Sequence, residues 1–254
     1  AFKPIIYSYL SGRLFGIKKY IFALGGLGAI FSVNSLKNKL LKVFLIPFLR
    51  ASFRFQKMRL ILQNENDLKM LLEKKIISKD KVVLIRGAGV DTAKFSPKQS
   101  IKPEQPVIIF AGRLIWTKGI KDFVECAKRI QIRTNAVFAL VGKPDNSNPD
   151  AVPLEDLEKW QKKGIIEWWG HQEDMVSVLR KSSIFCFPSL YGEGLPKILI
   201  EAASTGLPII TYDVPGCRDV VSNNSNGFLV SPGNIKDLEE SVMRLIENRD
   251  LALK

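Results

Sequence analysis

From Pro106 onward, six short β-branched runs alternate with helical patterns of about ten residues, and this alternation leaves few folds open. Strands joined through helices run parallel, and a parallel sheet needs covering on both faces, which is why such strands read as continuous apolar runs. The pattern predicts strands at Val107–Phe110, Val137–Val141, Ile165–Trp168, Ile184–Phe187, Pro208–Thr211 and Gly227–Val230. Helices are expected near Gly119–Ile130, Leu154–Lys163, Met175–Lys181, Pro196–Thr205 and Ile235–Glu247. The fold class is therefore α/β, with a complete or nearly complete doubly wound domain in this part of the chain.

Upstream the same alternation continues more sparsely. A helix is expected over Ile5–Leu14, a strand over Tyr20–Leu24 and a basic amphipathic stretch over Leu36–Phe53. Then follow a strand at Arg59–Gln63, a helix capped by Asn64 or Asn66, and a strand at Lys81–Ile85. The polar, proline-containing segment Ser96–Pro106 reads as a linker, which divides the chain into residues 1–97 and 98–254.

Charge is distributed unevenly between these parts. Of the 38 basic residues, eleven fall between Ala1 and Asn64, where none of the 25 acidic residues occurs. Nucleic acid, anionic lipid and phosphorylated substrates all suit such a segment. Without RNP signatures, zinc fingers or regularly interleaved aromatics, no nucleic-acid partner is expected. The longest apolar run, Tyr20–Val33, is shorter than a membrane span and holds three glycines, so no transmembrane helix is expected. Within Leu36–Arg59, however, Leu40, Leu41, Phe44, Leu45, Phe48 and Leu49 recur at helical spacing among Lys37, Lys39, Lys42, Arg50 and Arg54. An interfacial helix docked on an anionic membrane has this pattern, interrupted or kinked by Pro47; a core-facing helix with a solvated basic face has it too.

Several chemistries drop out on composition. A single histidine, His171, excludes HExxH peptidases and every site that needs two imidazoles. There is no GxxxxGK[ST] and no Asp-x-Asp pair. Cys126, Cys186 and Cys217 lack the spacing of a disulfide framework or a zinc site. Cys126 and Cys186 lie in helix and strand patterns and are expected to be buried, whereas Cys217, beside Gly216, is expected to be accessible. His171 follows a strand end and reads as a surface or ligand-adjacent position, while of Trp168 and Trp169 one should face the core and the other a cleft.

Two stretches carry candidate chemistry. In Phe187 to Ile210 a buried strand gives way to a Gly-rich turn with Glu193, then a helix opened by Pro196 and carrying Glu201. A helix start at the C-terminal edge of a parallel sheet suits anionic phosphates. At roughly 10 Å apart the two carboxylates are too distant for a glycosidase pair and are better suited to hold two parts of one ligand. A solvated Glu193 and a helix-surface Glu201 are equally compatible with the spacing. In Phe110 to Gly119, Arg113 and Lys118 flank a strand-to-helix turn, where a guanidinium fork and a point charge fit a diphosphate, or merely solvate a loop.

Gly112-Arg-Leu-x-x-x-Lys-Gly119, Leu140-Val-Gly142, Gly170, Pro188-Ser189, Glu193-x7-Glu201, Gly206-x-Pro208, Gly216 and Asn226-Gly227 together resemble the retaining glycosyltransferases of family 4, which have the GT-B fold. The resemblance is strong from about Asn64 to Lys254. Upstream, Lys3-Pro-Ile-Ile-Tyr7, Gly26-Leu-Gly28, Gln63-Asn64 and Asp67 are similar to the subgroup that extends polyprenyl-diphosphate-linked sugars in surface-polysaccharide assembly. It implies one near-complete Rossmann-like domain, a partial first one, and a chain truncated at both ends.

What the resemblance implies for the site is specific. Gly112, Arg113, Lys118, Gly142, Glu193, Gly194, Leu195 and Glu201 would bind a nucleotide-sugar donor. Arg113 and Lys118 would hold its diphosphate and stabilise the leaving group, with no metal or other cofactor; Glu193 would contact the transferred sugar, Glu201 the ribose, and the Gly194 and Leu195 amides sugar or phosphate. Glu193, Arg113 and Lys118 are thus the catalytic candidates. Many relatives place a histidine near the donor sugar in the first domain; here Gly26-Leu-Gly28 occupies that neighbourhood. The expected activity is transfer of a hexose or N-acetylhexosamine to a polyprenyl-diphosphate-linked acceptor, peripherally on the cytoplasmic membrane face. The alternative is a nucleotide-sugar-binding remnant, and the chain by itself is expected to transfer no sugar.

Overall fold

The computed structural model describes residues 2–27, 31, 36–55, 57–87, 89–97, 105–145 and 147–248. The chain divides into two compact units, residues 1–88 with 191–196, and residues 89–190 with 197–254. Most of the expected linker, and Gly28, lie outside the described residues. The boundary differs from the expected 97/98 for a physical reason. Phe95 is buried in the second unit's core, its carbonyl accepts from Ser204 Oγ at 2.7 Å, and Arg180 donates to the carbonyl and hydroxyl of Ser96.

The first unit comprises α1 (Phe2–Leu14), β1 (Tyr20–Leu24), α2 (Leu36–Phe53), β2 (Met58–Leu62), α3 (Glu65–Glu73) and β3 (Val82–Leu84). Its strands form a three-stranded parallel sheet in the order β1-β2-β3, with Tyr20 opposite Met58 and Leu60 opposite Val82. Alternation along β1 turns Tyr20, Phe22 and Leu24 into the core and leaves Ile21 outside. Asn64, rather than Asn66, caps α3: its Oδ1 accepts from the Asp67 N–H at 2.8 Å.

In α2 the expected membrane stripe is split. Leu49 and Phe53 are buried and Leu45 and Phe48 half-buried, because the unit's core needs that face. Leu40, Leu41 and Phe44 of that stripe are exposed in the first half of the helix, with Leu36 and Val43 beside them. Arg50 stays exposed but is tied down, donating to the carbonyls of Lys74 and Lys75 just past α3. The helix also continues through Pro47 instead of stopping there. Among the described residues no helix is long and apolar enough to cross a membrane.

The second unit contains β4 (Val107–Ala111), α4 (Ile120–Gln131), β5 (Val137–Val141), α5 (Leu154–Lys162), β6 (Glu167–Gly170), α6 (Met175–Arg180), β7 (Ile184–Phe187), α7 (Lys197–Ser204), β8 (Ile209–Tyr212), β9 (Gly227–Val230) and α8 (Ile235–Glu247). All six strands are parallel, in the order β6-β5-β4-β7-β8-β9. The third expected strand is displaced by two residues, since Gly164 and Ile165 close the end of α5 through the bond from Ile165 N–H to the Trp160 carbonyl. α4 buries Ile120, Phe123, Ala127 and Ile130 along one stripe, and Asp122 accepts a hydrogen bond from the buried Tyr212 hydroxyl at 2.7 Å. Cys126 and Cys186 are buried as expected, and burial pushes the Cys126 thiol up to about 12. Cys217 is buried as well, contrary to expectation. The tight turn that follows β8 folds back so that the Val220 and Val221 amides donate to its carbonyl, and its side chain joins the core.

Candidate functional site

Strand order reverses between β4 and β7: from β4 the chain moves outward through β5 and β6, from β7 through β8 and β9. Loops leaving the C-terminal ends of these two strands flank the crevice in which open parallel sheets bind ligands. Both cations of the candidate diphosphate site lie on the loop after β4.

That loop has a constrained shape. Gly112 lies at φ +156° and its N–H donates to the Val141 carbonyl; a 3₁₀ turn over Trp116–Lys118 follows and ends at Gly119, φ +77°. A side chain at Gly119 would run into the Pro188 carbonyl, and one at Gly142 into the Gly112 carbonyl, so both positions need glycine for close approach. Trp168 Nε1 donates to the Gly142 carbonyl at 2.9 Å, tying β6 to the same edge. Both tryptophans of the pair are half-buried, Trp169 donating to Glu167, while His171 is exposed.

Within this frame the two cations have different environments. Lys118 is buried, its Nζ 5.1 Å from the ring centroid of Phe187 at the end of β7, a cation–π contact rather than a solvated loop charge. Arg113 is exposed, and its Nη1 lies 3.3 Å from Asp145 Oδ2. The Ser147 hydroxyl and then Arg113 hold the Asp145 carboxyl below its usual range. Glu201 is buried on α7, one turn past Lys197, whose Nζ pairs with it at 3.0 Å. A helix-surface role for Glu201 is thereby replaced by a buried carboxylate with one bound cation.

Glu193, Gly194 and Leu195 belong to the first unit, because glycines of that unit give the segment 191–196 its bed. A side chain at Gly194 would collide with the Gly25 carbonyl and the Gln63 side chain; one at Gly87 would collide with Leu195. Asn64 Nδ2 donates to the Glu193 carbonyl at 3.3 Å, and also to Asp67 Oδ2 at 3.1 Å, which accepts in turn from the Leu27 N–H. Asn64 thus does more than cap α3, and Asp67, known from sequence only by its likeness to relatives, joins it in this network; both are buried. Asp145 and Asp150 escaped it altogether, since a carboxylate in a Pro/Asn-rich loop shows nothing in sequence of which turn it meets.

The family described as "Glycosyl transferases group 1" matches residues 91–254. The chain belongs to this family. As a group 1 glycosyl transferase it is 31% identical over 247 residues to the N,N'-diacetylbacillosaminyl-diphospho-undecaprenol alpha-1,3-N-acetylgalactosaminyltransferase of Campylobacter jejuni, covering 92% of this chain and 63% of that protein. It is 27% identical to the UDP-Gal:alpha-D-GlcNAc-diphosphoundecaprenol alpha-1,3-galactosyltransferase of Escherichia coli, over 98% of this chain and 65% of that one. The chain thus spans just under two thirds of the length of these relatives. Among solved structures, Anabaena Alr3699/HepE in complex with UDP and glucose superposes with a TM-score of 0.80 at 16% identity, covering all of this chain and 68% of that one. Sucrose-phosphate synthase from Thermosynechococcus elongatus gives the same TM-score at 19% identity over 98% and 64%. The group 1 glycosyl transferase therefore has the GT-B fold class expected from its motifs.

Proposed function

We propose that the chain carries the donor-binding residues of an enzyme that transfers a hexose or N-acetylhexosamine from a nucleotide-diphosphate sugar to a polyprenyl-diphosphate-linked acceptor, with retention of anomeric configuration and without a metal. The observation that carries this reading is the pair Arg113 and Lys118 on the loop after β4, in a chain akin to two transferases whose names specify diphosphoundecaprenol acceptors.

As the bond between the sugar's anomeric carbon and the diphosphate breaks, negative charge grows on the leaving phosphate, and fixed cations lower the barrier where that charge develops. Arg113 exchanges Asp145 for phosphate oxygens, which its planar fork can bind in pairs. Lys118, held over Phe187, adds a second positive charge in a partly desolvated setting. Gly112 and Gly142 keep the edge clear for close approach of the diphosphate. Glu201 accepts from the ribose hydroxyls; for Glu193 and the Gly194 and Leu195 amides, which belong to the first unit, contacts to the sugar or phosphate remain what the family resemblance implies. The acceptor oxygen forms the new glycosidic bond as the bond to the diphosphate breaks, and its proton passes to the departing phosphate oxygen.

A polyprenyl-linked acceptor places the reaction at a membrane, and a nucleotide-sugar donor places it on the cytoplasmic face. The exposed Leu36, Leu40, Val43 and Phe44, within a 64-residue stretch of eleven cations and no carboxylate, suit an anionic bilayer surface. Incubation of the purified chain with UDP-sugars and a synthetic polyprenyl-diphosphate-linked sugar, with and without EDTA, tests the reaction by mass spectrometry of the lipid product. A chelator-insensitive gain of one sugar supports it. Nucleotide binding without transfer supports a sugar-nucleotide-binding protein instead, and absence of both refutes the reading.

A further inference from the structure

One carboxylate fixes the turn that carries Lys118. Thr117 donates twice to Asp150 Oδ2, from its backbone N–H at 2.8 Å and from its Oγ1 at 2.5 Å. Asp150 is anchored in turn: its carbonyl accepts from the Trp116 N–H at 2.9 Å and its N–H donates to Asn148 Oδ1 at 3.0 Å. From the other side, the Leu190 N–H donates to the Thr117 carbonyl at 3.0 Å. The loop after β5 and the loop after β7 therefore grip the same residue, next to the lysine. Bridges from Leu114 to Pro144 and from Ile115 to Ala151 align the first of these loops along the turn.

A three-residue 3₁₀ turn has poor hydrogen-bond geometry and leaves its leading N–H groups without partners inside the turn. Bonds to an ionised acceptor are about twice as strong as neutral ones, so a carboxylate accepting two of them is well suited to hold such a turn in one arrangement. Its placement matters here because the Lys118 head group must stay over Phe187. We propose that Asp150 is a positioning residue for the donor diphosphate, acting through Thr117 to set where Lys118 delivers its charge. This rests on the reading that Lys118 binds the diphosphate.

The test titrates UDP and GDP by calorimetry into the whole chain and into Asp150→Ala, Asp150→Asn, Lys118→Ala and Asp150→Ala/Lys118→Ala, with melting curves for each. Asp150→Ala is expected to weaken nucleotide binding roughly tenfold, as one lost charge-assisted contact does. Lys118→Ala should lose at least as much and the double variant no more than Lys118→Ala alone, since Asp150 acts only through the lysine. Asp150→Asn keeps an acceptor oxygen and should restore binding to within about threefold of the original. Amide exchange at Thr117 and Lys118 should speed up in Asp150→Ala and not in Asp150→Asn. Wild-type binding by Asp150→Ala, with Lys118→Ala weakened, would overturn the positioning role and leave the diphosphate reading standing; additive losses in the double variant would do the same. No nucleotide binding by the original chain, or full binding by Lys118→Ala, would bring down the diphosphate reading and this inference with it.

Discussion

Replacing Arg113 by Ala removes a guanidinium that is 59% exposed and that sits 3.3 Å from the Asp145 carboxylate, itself 26% exposed. An ion pair this open to solvent contributes at most about 1 kcal/mol to folding. For a unit of this size that is a shift in Tm of no more than about 2–4 °C. Loss of a charge-assisted contact to a bound phosphate costs about 1.5–3 kcal/mol, or roughly 10- to 150-fold in affinity. The two effects are therefore separable in one variant: nucleotide diphosphate binding should fall by at least an order of magnitude while the melting curve barely moves. Arg113→Lys should lie between, since it keeps the charge and loses the fork. Calorimetric titration with UDP alongside differential scanning calorimetry reads both. A folded Arg113→Ala that binds the nucleotide as tightly as the original would refute the diphosphate role, and a collapse in Tm would show that the residue is structural.

Three further outcomes follow from the same geometry. The Asp145 carboxyl, held below its usual range chiefly by the Ser147 hydroxyl and then by Arg113, should titrate at higher pH in Ser147→Ala than in Arg113→Ala, as followed by carboxyl NMR. Because its folded value is depressed, its small contribution to stability is present at neutral pH, above the unfolded value, and disappears as pH falls through the folded one. Among the described residues Tyr20 Oη is buried without a hydrogen-bond partner, so Tyr20→Phe should leave stability unchanged or raise it by about 1 kcal/mol in thermal melts; a loss larger than that would mean the hydroxyl has a partner. Leu40→Asp or Phe44→Asp should reduce co-sedimentation with phosphatidylglycerol vesicles at unchanged Tm, whereas Leu49→Asp should unfold the first unit; equal binding by all variants to neutral vesicles would count against membrane docking.

Much of the second unit was legible in the chain itself. Runs such as Val107–Ala111 and Ile184–Phe187 are apolar at every position, and only a sheet covered on both faces asks for that, so parallel pairing and fold class followed from local pattern. The glycines at 112, 119 and 142 were readable because close backbone approach restricts residue type at fixed spacing. Strand order, with its reversal between β4 and β7, was decided by tertiary packing, since each strand alone fits any interior place. Side-chain fate was decided there as well. Periodicity defined an apolar helix at Leu36–Phe53, yet which apolar residues face the core depended on where β1 and β2 lie beneath it. For Lys118 and Glu201 the pattern left a solvated surface charge open beside a ligand role, and only the fold placed a ring and a lysine beside them and buried both. Asp150 carries no local signal at all: it stands 33 residues from Thr117 in the chain, and hydrogen bonds across such a distance exist only once the sheet has brought two loops to one edge.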